Sequence, residues 1–194
     1  MHARAYCLLL GAVLACRGGA SRDAPGGAAA TEPAPSRRLD VGDMAPDFSG
    51  LSHTGFSVRL SQFLRKPVAL YFCPGGLDEA CTDLLVALRD QWLRYNQKLG
   101  MVIAVVPNSQ QENLAFASEH ELPLLLVADT DGLIQRSYGI VAAAAGSPPE
   151  HVGWLIGVDR KALRTFVHPA GPDHATELAS LVGALVQSGP GGAR

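Results

Sequence analysis

The sequence predicts an α/β domain: a central mixed sheet with helices on its flanks. Three observations carry this. The β-branched and aromatic run Val68-Ala69-Leu70-Tyr71-Phe72 reads as a buried strand, and it leads through Cys73-Pro74-Gly75-Gly76 into a helix. Two more apolar strands, residues 101–106 and 123–127, alternate with helical stretches, which is the pattern of parallel βαβ units. Residues 151–158 and 162–168 then read as strands joined by a turn at Asp159-Arg160-Lys161, an antiparallel edge.

The remaining elements follow from local signals. Phe48 and Leu51 read as plugs into the core, and Thr54-Gly55 as a hairpin turn before residues 56–60. Residues 61–64 make a short helical turn. Asp78 is placed to cap the helix that follows the central strand. The apolar stripe Leu84, Leu85, Leu88, Trp92, Tyr95 and Leu99 keeps a helical period through residue 99. Asp90 and Arg94 can pair on its outer face. Ser109-Gln110-Gln111-Glu112 is a capping box that opens a helix toward His120. Residues 131–138 read as a short helix stopped by Gly139, and residues 142–149 as a loop. Pro172-Asp173 opens the last helix, with Leu178, Leu181, Val182 and Leu185 as its buried face. Trp92 and Trp154 read as core residues, while His53, His120, His168 and His174 are scattered, exposed or bonded locally.

The chain has 194 residues, enough for one domain with a sizeable core plus tails. A net charge of -2 and scattered basic residues leave no footprint for nucleic acid. No apolar run reaches bilayer-spanning length. The cysteines are Cys7, Cys16, Cys73 and Cys81. They form no C-x-x-C pair, so neither a zinc site nor a thioredoxin-type dithiol has spacing support, and no metal or cofactor is expected.

At the N-terminus, Arg4 precedes an apolar run from Tyr6 to Leu14, followed by small residues: a secretory signal over residues 1–15. Val13-Leu14-Ala15-Cys16 resembles a bacterial lipobox. That resemblance implies cleavage before Cys16, lipidation of Cys16, and an extracytoplasmic domain anchored to a membrane of the cell envelope. The alternative is an ordinary signal peptide with an incidental cysteine. Residues 16–38, rich in Gly, Ala, Pro and Ser, cannot bury enough surface to order and read as a disordered tether. Roughly 22 flexible residues reach about 25 Å. The folded domain spans residues 39–187, and residues 188–194 form a flexible tail.

Cys81 is the candidate nucleophile. In the first turn of a helix, free N–H groups and the positive end of the macrodipole favour an anion, and a thiolate is one. The alternative is a small buried hydrophobe. Cys73 likewise reads as a buried strand residue.

The segments Gly42-Asp43-x-Ala45-Pro46-Asp47-Phe48, Leu60-Ser61-x-Phe63 and Lys66-Pro67-Val68 resemble the peroxiredoxins of the AhpC/TSA, bacterioferritin-comigratory type. So do Tyr71-Phe72-x-Pro74 through Cys81-Thr82, Arg89-Asp90, and Ser137-Tyr138-Gly139-Ile140. The resemblance covers residues 39–186. It implies a thioredoxin-like fold and reduction of a hydroperoxide by a peroxidatic cysteine, here Cys81, with Pro74 upstream of it. It implies return of the sulfenic acid to thiol through a disulfide, at the expense of a thioredoxin-like or small thiol reductant. A homodimer is compatible with it.

Three positions depart from that family pattern. Asp78 stands where the family has the hydroxyl residue of Pro-x-x-x-Thr/Ser-x-x-Cys. An ionised carboxylate cannot donate to the thiolate and repels it. His151 stands where the family has an Arg before the strand Trp154-Leu155-Ile156, and neutral imidazole stabilises a thiolate less than guanidinium does. Val86 takes the place of the common resolving cysteine, which leaves Cys73 as the candidate resolver.

Several accounts stand at this point. A protonated His151 against Asp78 restores a positive neighbour for Cys81, or the site has drifted in a domain with a binding or envelope role. A disulfide oxidoreductase using Cys73 and Cys81 is a third account. A Cys81–His151–Asp78 hydrolytic triad has no oxyanion hole or acyl pocket behind it. Across the Gly-rich turn, a Cys73–Cys81 bond is expected only if the first helical turn unwinds. Two separate thiols are therefore expected at rest.

Overall fold

The elements in chain order are β1 (Ser49–Ser52), β2 (Ser57–Arg59), a 3-10 turn (Leu60–Phe63), β3 (Val68–Phe72), α1 (Glu79–Asp90) and α2 (Trp92–Tyr95). They continue with β4 (Met101–Val106), α3 (Gln110–Glu119), β5 (Leu125–Ala128), α4 (Leu133–Ser137), β6 (Val152–Ile156), β7 (Ala162–Val167) and α5 (Gly171–Gln187). This computed structural model describes residues 37–96, 99, 101–140, 150–167 and 169–187. The expectations for residues 1–36, including Cys16, lie outside the described residues, as do those for the 142–149 loop, His168 and the 188–194 tail. Among the described residues no helix is long and apolar enough to cross a membrane.

One sheet holds all seven strands, in the order β2-β1-β5-β4-β3-β6-β7. β3, β4 and β5 are parallel. Antiparallel hairpins extend both sides, β1–β2 against β5 and β6–β7 against β3. The mixed sheet is as expected, with one addition: the N-terminal hairpin supplies a second antiparallel edge.

β3 is buried along its whole length because both faces are covered, so it reads as an unbroken apolar run rather than an alternating one. Ala69, Tyr71 and Cys73 face one core with Leu84, Leu85 and Leu88 of α1 and Leu178 and Val182 of α5. Val68, Leu70 and Phe72 face the other with Phe48, Tyr138 and Trp154. The opening segment is tied to that second core by Trp154 Nε1–H donating to Leu39 O (3.1 Å) and Tyr138 O–H donating to Pro46 O (2.7 Å). Gly139, at φ +70, ends α4 where the backbone of Arg37 and Arg38 passes too close for any Cβ.

The structure corrects four expectations. The helix carrying the long stripe is broken: Gln91 separates α1 from the one-turn α2, and Trp92 is half-buried. Asp90 therefore pairs with its neighbour Arg89 (2.8 Å) rather than Arg94. Leu51 is exposed, because strand alternation turns Gly50 and Ser52 inward, with Gly50 against Val127 and Ile134. His53 and His174 are buried and not merely locally bonded. His53 Nδ1 accepts Leu126 N–H (3.2 Å) at the hairpin–β5 junction, and His174 Nε2 meets Tyr71 Oη (2.7 Å) where α5 packs on β3. Those partners are distant in sequence, and no local pattern announces them.

Burial holds both histidines below the ordinary value of 6.5, with Glu177 offsetting part of the effect at His174. The unfolded chain thus binds protons that the folded one resists. The stability tied to these groups is complete above about pH 6.5 and falls as pH drops through that value toward the folded pKa values. Urea midpoints should fall between about pH 7.5 and about pH 5.5, and His174→Gln should flatten the fall. Equal slopes in the two proteins would show that His174 carries none of it.

Candidate active site

Cys73 continues β3 by donating its N–H to Val105 O (3.1 Å). Pro74 stops the strand. Gly76 then turns the chain at φ +84 and returns its N–H to Cys73 O (2.9 Å). That conformation favours glycine, and a Cβ there would meet Asn108 Oδ1 at 3.0 Å. Asp78 leaves the turn extended and caps α1: its Oδ1 accepts Cys81 N–H at 2.8 Å, and its carbonyl accepts Thr82 N–H at 2.8 Å. Cys81 is therefore in the first turn of α1 and fully buried, as expected from its sequence setting.

Cys73 and Cys81 are joined by a disulfide, with their Cα atoms 5.9 Å apart. The expectation of two separate thiols fails, and so does its premise. The turn at Gly76 brings the end of β3 against the start of α1, so the bond closes with the helix and its cap intact. The separation lies inside the usual range of about 4.4–6.8 Å. A dithiol pair thus exists without C-x-x-C spacing.

His151 reaches the same place from the other side. β6 runs antiparallel to β3 with Val152 opposite Phe72, and His151 and Cys73 are the next residues along the two chains. The side chain is buried, and Nε2 lies 3.2 Å from Asp78 Oδ1. The nitrogen is off the line of a hydrogen bond, so it is buried without a hydrogen-bond partner. The sequence pairing of Asp78 with His151 is therefore present as a contact. Asp78 serves the backbone N–H of Cys81, while the same oxygen faces the imidazole. Glu150, beside His151, is held by Arg38 (2.7 Å). Pro74 is half-buried at the mouth of the turn.

Asn108 was not singled out from the sequence. It packs on Gly76 from the loop after β4, and its Oδ1 is buried with no hydrogen-bond partner. Nothing in its local sequence signals that contact, which depends on β4 lying beside β3.

A cysteine pair at the junction of a central strand and a helix N-terminus, on a mixed sheet of this order, defines a thioredoxin-like redox domain. The AhpC/TSA family matches residues 41–165, and the chain belongs to that family. It is similar to the chloroplastic peroxiredoxin Q of Triticum aestivum, 28% identical over 155 residues that cover 75% of this chain and 70% of the wheat protein. It is also similar to peroxiredoxin Bcp of Bacillus subtilis, 25% identical over 72% of this chain and 92% of that protein. Against the peroxiredoxin Q of Gentiana triflora, 30% identical, the match covers 58% of this chain and 52% of the gentian protein. Among solved structures, the fold resembles peroxidoxin BcpB of Mycobacterium tuberculosis, with a TM-score of 0.69 at 23% identity, over 76% of this chain and 99% of that one. A Xylella fastidiosa PrxQ mutant gives 0.70 at 16% identity, over 78% and 99%.

Asp78→Ala removes the acceptor for Cys81 N–H and should destabilise the reduced protein by about 1 kcal/mol. Asp78→Thr, also a capping residue, should recover most of that. Urea unfolding of the three reduced proteins checks this, and an Ala variant as stable as the parent would show that the cap contributes nothing.

Proposed function

We propose that this domain is a thiol-dependent peroxidase in which Cys81 attacks the hydroperoxide and Cys73 resolves the product. The observation that carries the reading is the Cys73–Cys81 bond at an intact helix N-terminus. Membership of the AhpC/TSA family and the peroxiredoxin names of its relatives support it.

The chemistry follows from the placement. In the reduced protein the first turn of α1 directs its positive end at Cys81 and favours the thiolate. The thiolate attacks one peroxide oxygen: an S–O bond forms, the O–O bond breaks, and the departing oxygen takes a proton and leaves as the alcohol or water. Cys73 then attacks the sulfenic sulfur of Cys81. The S–S bond forms, the S–O bond breaks, and hydroxide leaves with the thiol proton as water. An external thiol supplies two electrons and reopens the disulfide. Asp78 works against the thiolate, because its carboxylate adds negative charge and cannot donate. A protonated His151 beside it offsets that charge.

A second reading, disulfide exchange with a partner thiol, draws on the same bond. The two are told apart by mixing reduced protein with one equivalent of hydrogen peroxide. Peroxidase chemistry should give sulfenic acid on Cys81 and then the disulfide, read by mass spectrometry. Cys81→Ser should abolish the reaction. Cys73→Ser should leave the first oxidation unchanged and accumulate sulfenic and then sulfinic acid. A wild-type protein that reacts no faster than a free thiol would favour disulfide exchange.

The lipobox-like Val13-Leu14-Ala15-Cys16 supports a further reading, that the mature chain is a lipoprotein of the cell envelope. On that reading Cys16→Ser moves the protein from the membrane to the soluble fraction of a bacterial host and removes labelling by a fatty-acid probe. A wild-type chain that takes up no such label would refute it.

A further inference from the structure

We infer that His151 is the base for Cys73: it accepts the thiol proton as Cys73 closes on oxidised Cys81. This rests on the peroxidase reading and adds a role at its second step.

Three observations point to it. The last β3–β6 pair is Phe72–Val152, so Cys73 and His151 are the next residues beyond it, and side chains opposite one another on antiparallel strands have Cβ atoms about 4.5–5.5 Å apart. The imidazole is buried, with 7% of its surface exposed, and its Nε2 has no hydrogen-bond partner. A buried nitrogen left without a partner is costly in a structural residue and calls for a chemical use. Lastly, Asp78 Oδ1 stands 3.2 Å from Nε2, so the imidazole is held against a carboxylate. With Nε2 facing Asp78, Nδ1 is the ring nitrogen left to take the proton of Cys73.

The position of each thiol explains why Cys73 needs this help. Cys81 has the helix N-terminus to stabilise its thiolate, whereas Cys73 ends a strand inside an apolar core, where burial raises a thiol pKa. Its attack therefore requires the proton to be taken away. Cys73 Sγ gives an electron pair to the S–S bond as the S–O bond of Cys81 breaks, and both sulfurs end at the disulfide oxidation level. The proton passes to His151 and on to the departing hydroxide, which leaves as water. Among the described residues, the charged groups next to His151 are Asp78 at the start of α1 and its chain neighbour Glu150, held by Arg38, while Cys73 and Cys81 supply the thiols of the reduced site.

The test separates the two steps by rapid quenching of the full chain after one equivalent of hydrogen peroxide, with a dione trap for Cys81 sulfenic acid and alkylation mapping of the disulfide. In His151→Gln, sulfenic acid should still form, more slowly than in the wild type because the charge beside Asp78 is lost, and it should accumulate before the disulfide appears. Disulfide closure should slow by about 100-fold or more, the usual range for a lost general base. Closure in this variant should also rise about tenfold per pH unit, because only ionised Cys73 can attack, and more steeply than in the wild type. His151→Arg supplies charge without a base, so it should speed the first step and close as slowly as Gln. Sulfenic acid forming in either variant also shows that its site is folded. Wild-type closure rates in either variant would overturn the inference while leaving the peroxidase reading intact. Failure of the wild type to form sulfenic acid at all would overturn both.

Discussion

Gly76 folds the chain back on the end of β3, and the bond from Cys81 N–H to Asp78 holds the start of α1 there. The rest of the site depends on that junction. It places Cys81 where four helix N–H groups lack intrahelical partners, and it places Cys73 within bonding distance of Cys81. The sheet supplies the rigidity. Cys73 is fixed by Val105 on one side, one residue beyond the last β3–β6 pair, Phe72–Val152. A flexible linker of the same length would have to find this arrangement against the entropy of loop closure.

The cap has an electrostatic cost. A carboxylate is a good helix N-cap because it complements the macrodipole, and for the same reason it competes with the thiolate that the dipole would otherwise stabilise. Asp78 commits Oδ1 to the Cys81 backbone and turns the same atom toward His151. On the proposed reading the imidazole is the compensating group, offsetting the carboxylate as the imidazolium and taking the Cys73 proton as the free base. A Thr with an Arg would separate the functions of capping, donating and supplying charge. The Asp and His found here meet in one part-buried contact.

Much of the domain was legible from short-range pattern. The unbroken apolar run of β3, the cap at Asp78 and the Ser109–Glu112 capping box all appear where expected, because each is decided by neighbours within one turn or one strand. The periodic stripe beyond Leu88 misled. Periodicity reports a face and does not report the break at Gln91, where the chain leaves α1 and begins a new turn. Leu51 misled for a related reason, since an apolar residue is drawn inward only if a layer covers that face of its strand. His53 and His174 looked like surface residues because their partners, Leu126 and Tyr71, are supplied by other strands.

The sequence by itself singled out the candidates for the chemistry: Cys81 at a helix start, Asp78 as its cap, and Cys73 and His151 beside them. Cys81 and its cap follow from local spacing along the chain, whereas Cys73 and His151 were named from the resemblance to the peroxiredoxins. The tertiary structure decided how they meet. Whether Cys73 reaches Cys81 depends on the positive φ at Gly76 and on the packing of α1 over β3, and spacing alone pointed the wrong way. Whether His151 faces Cys73 depends on the register of two strands far apart in the chain, and a shift of one residue would turn the imidazole to the other face of the sheet.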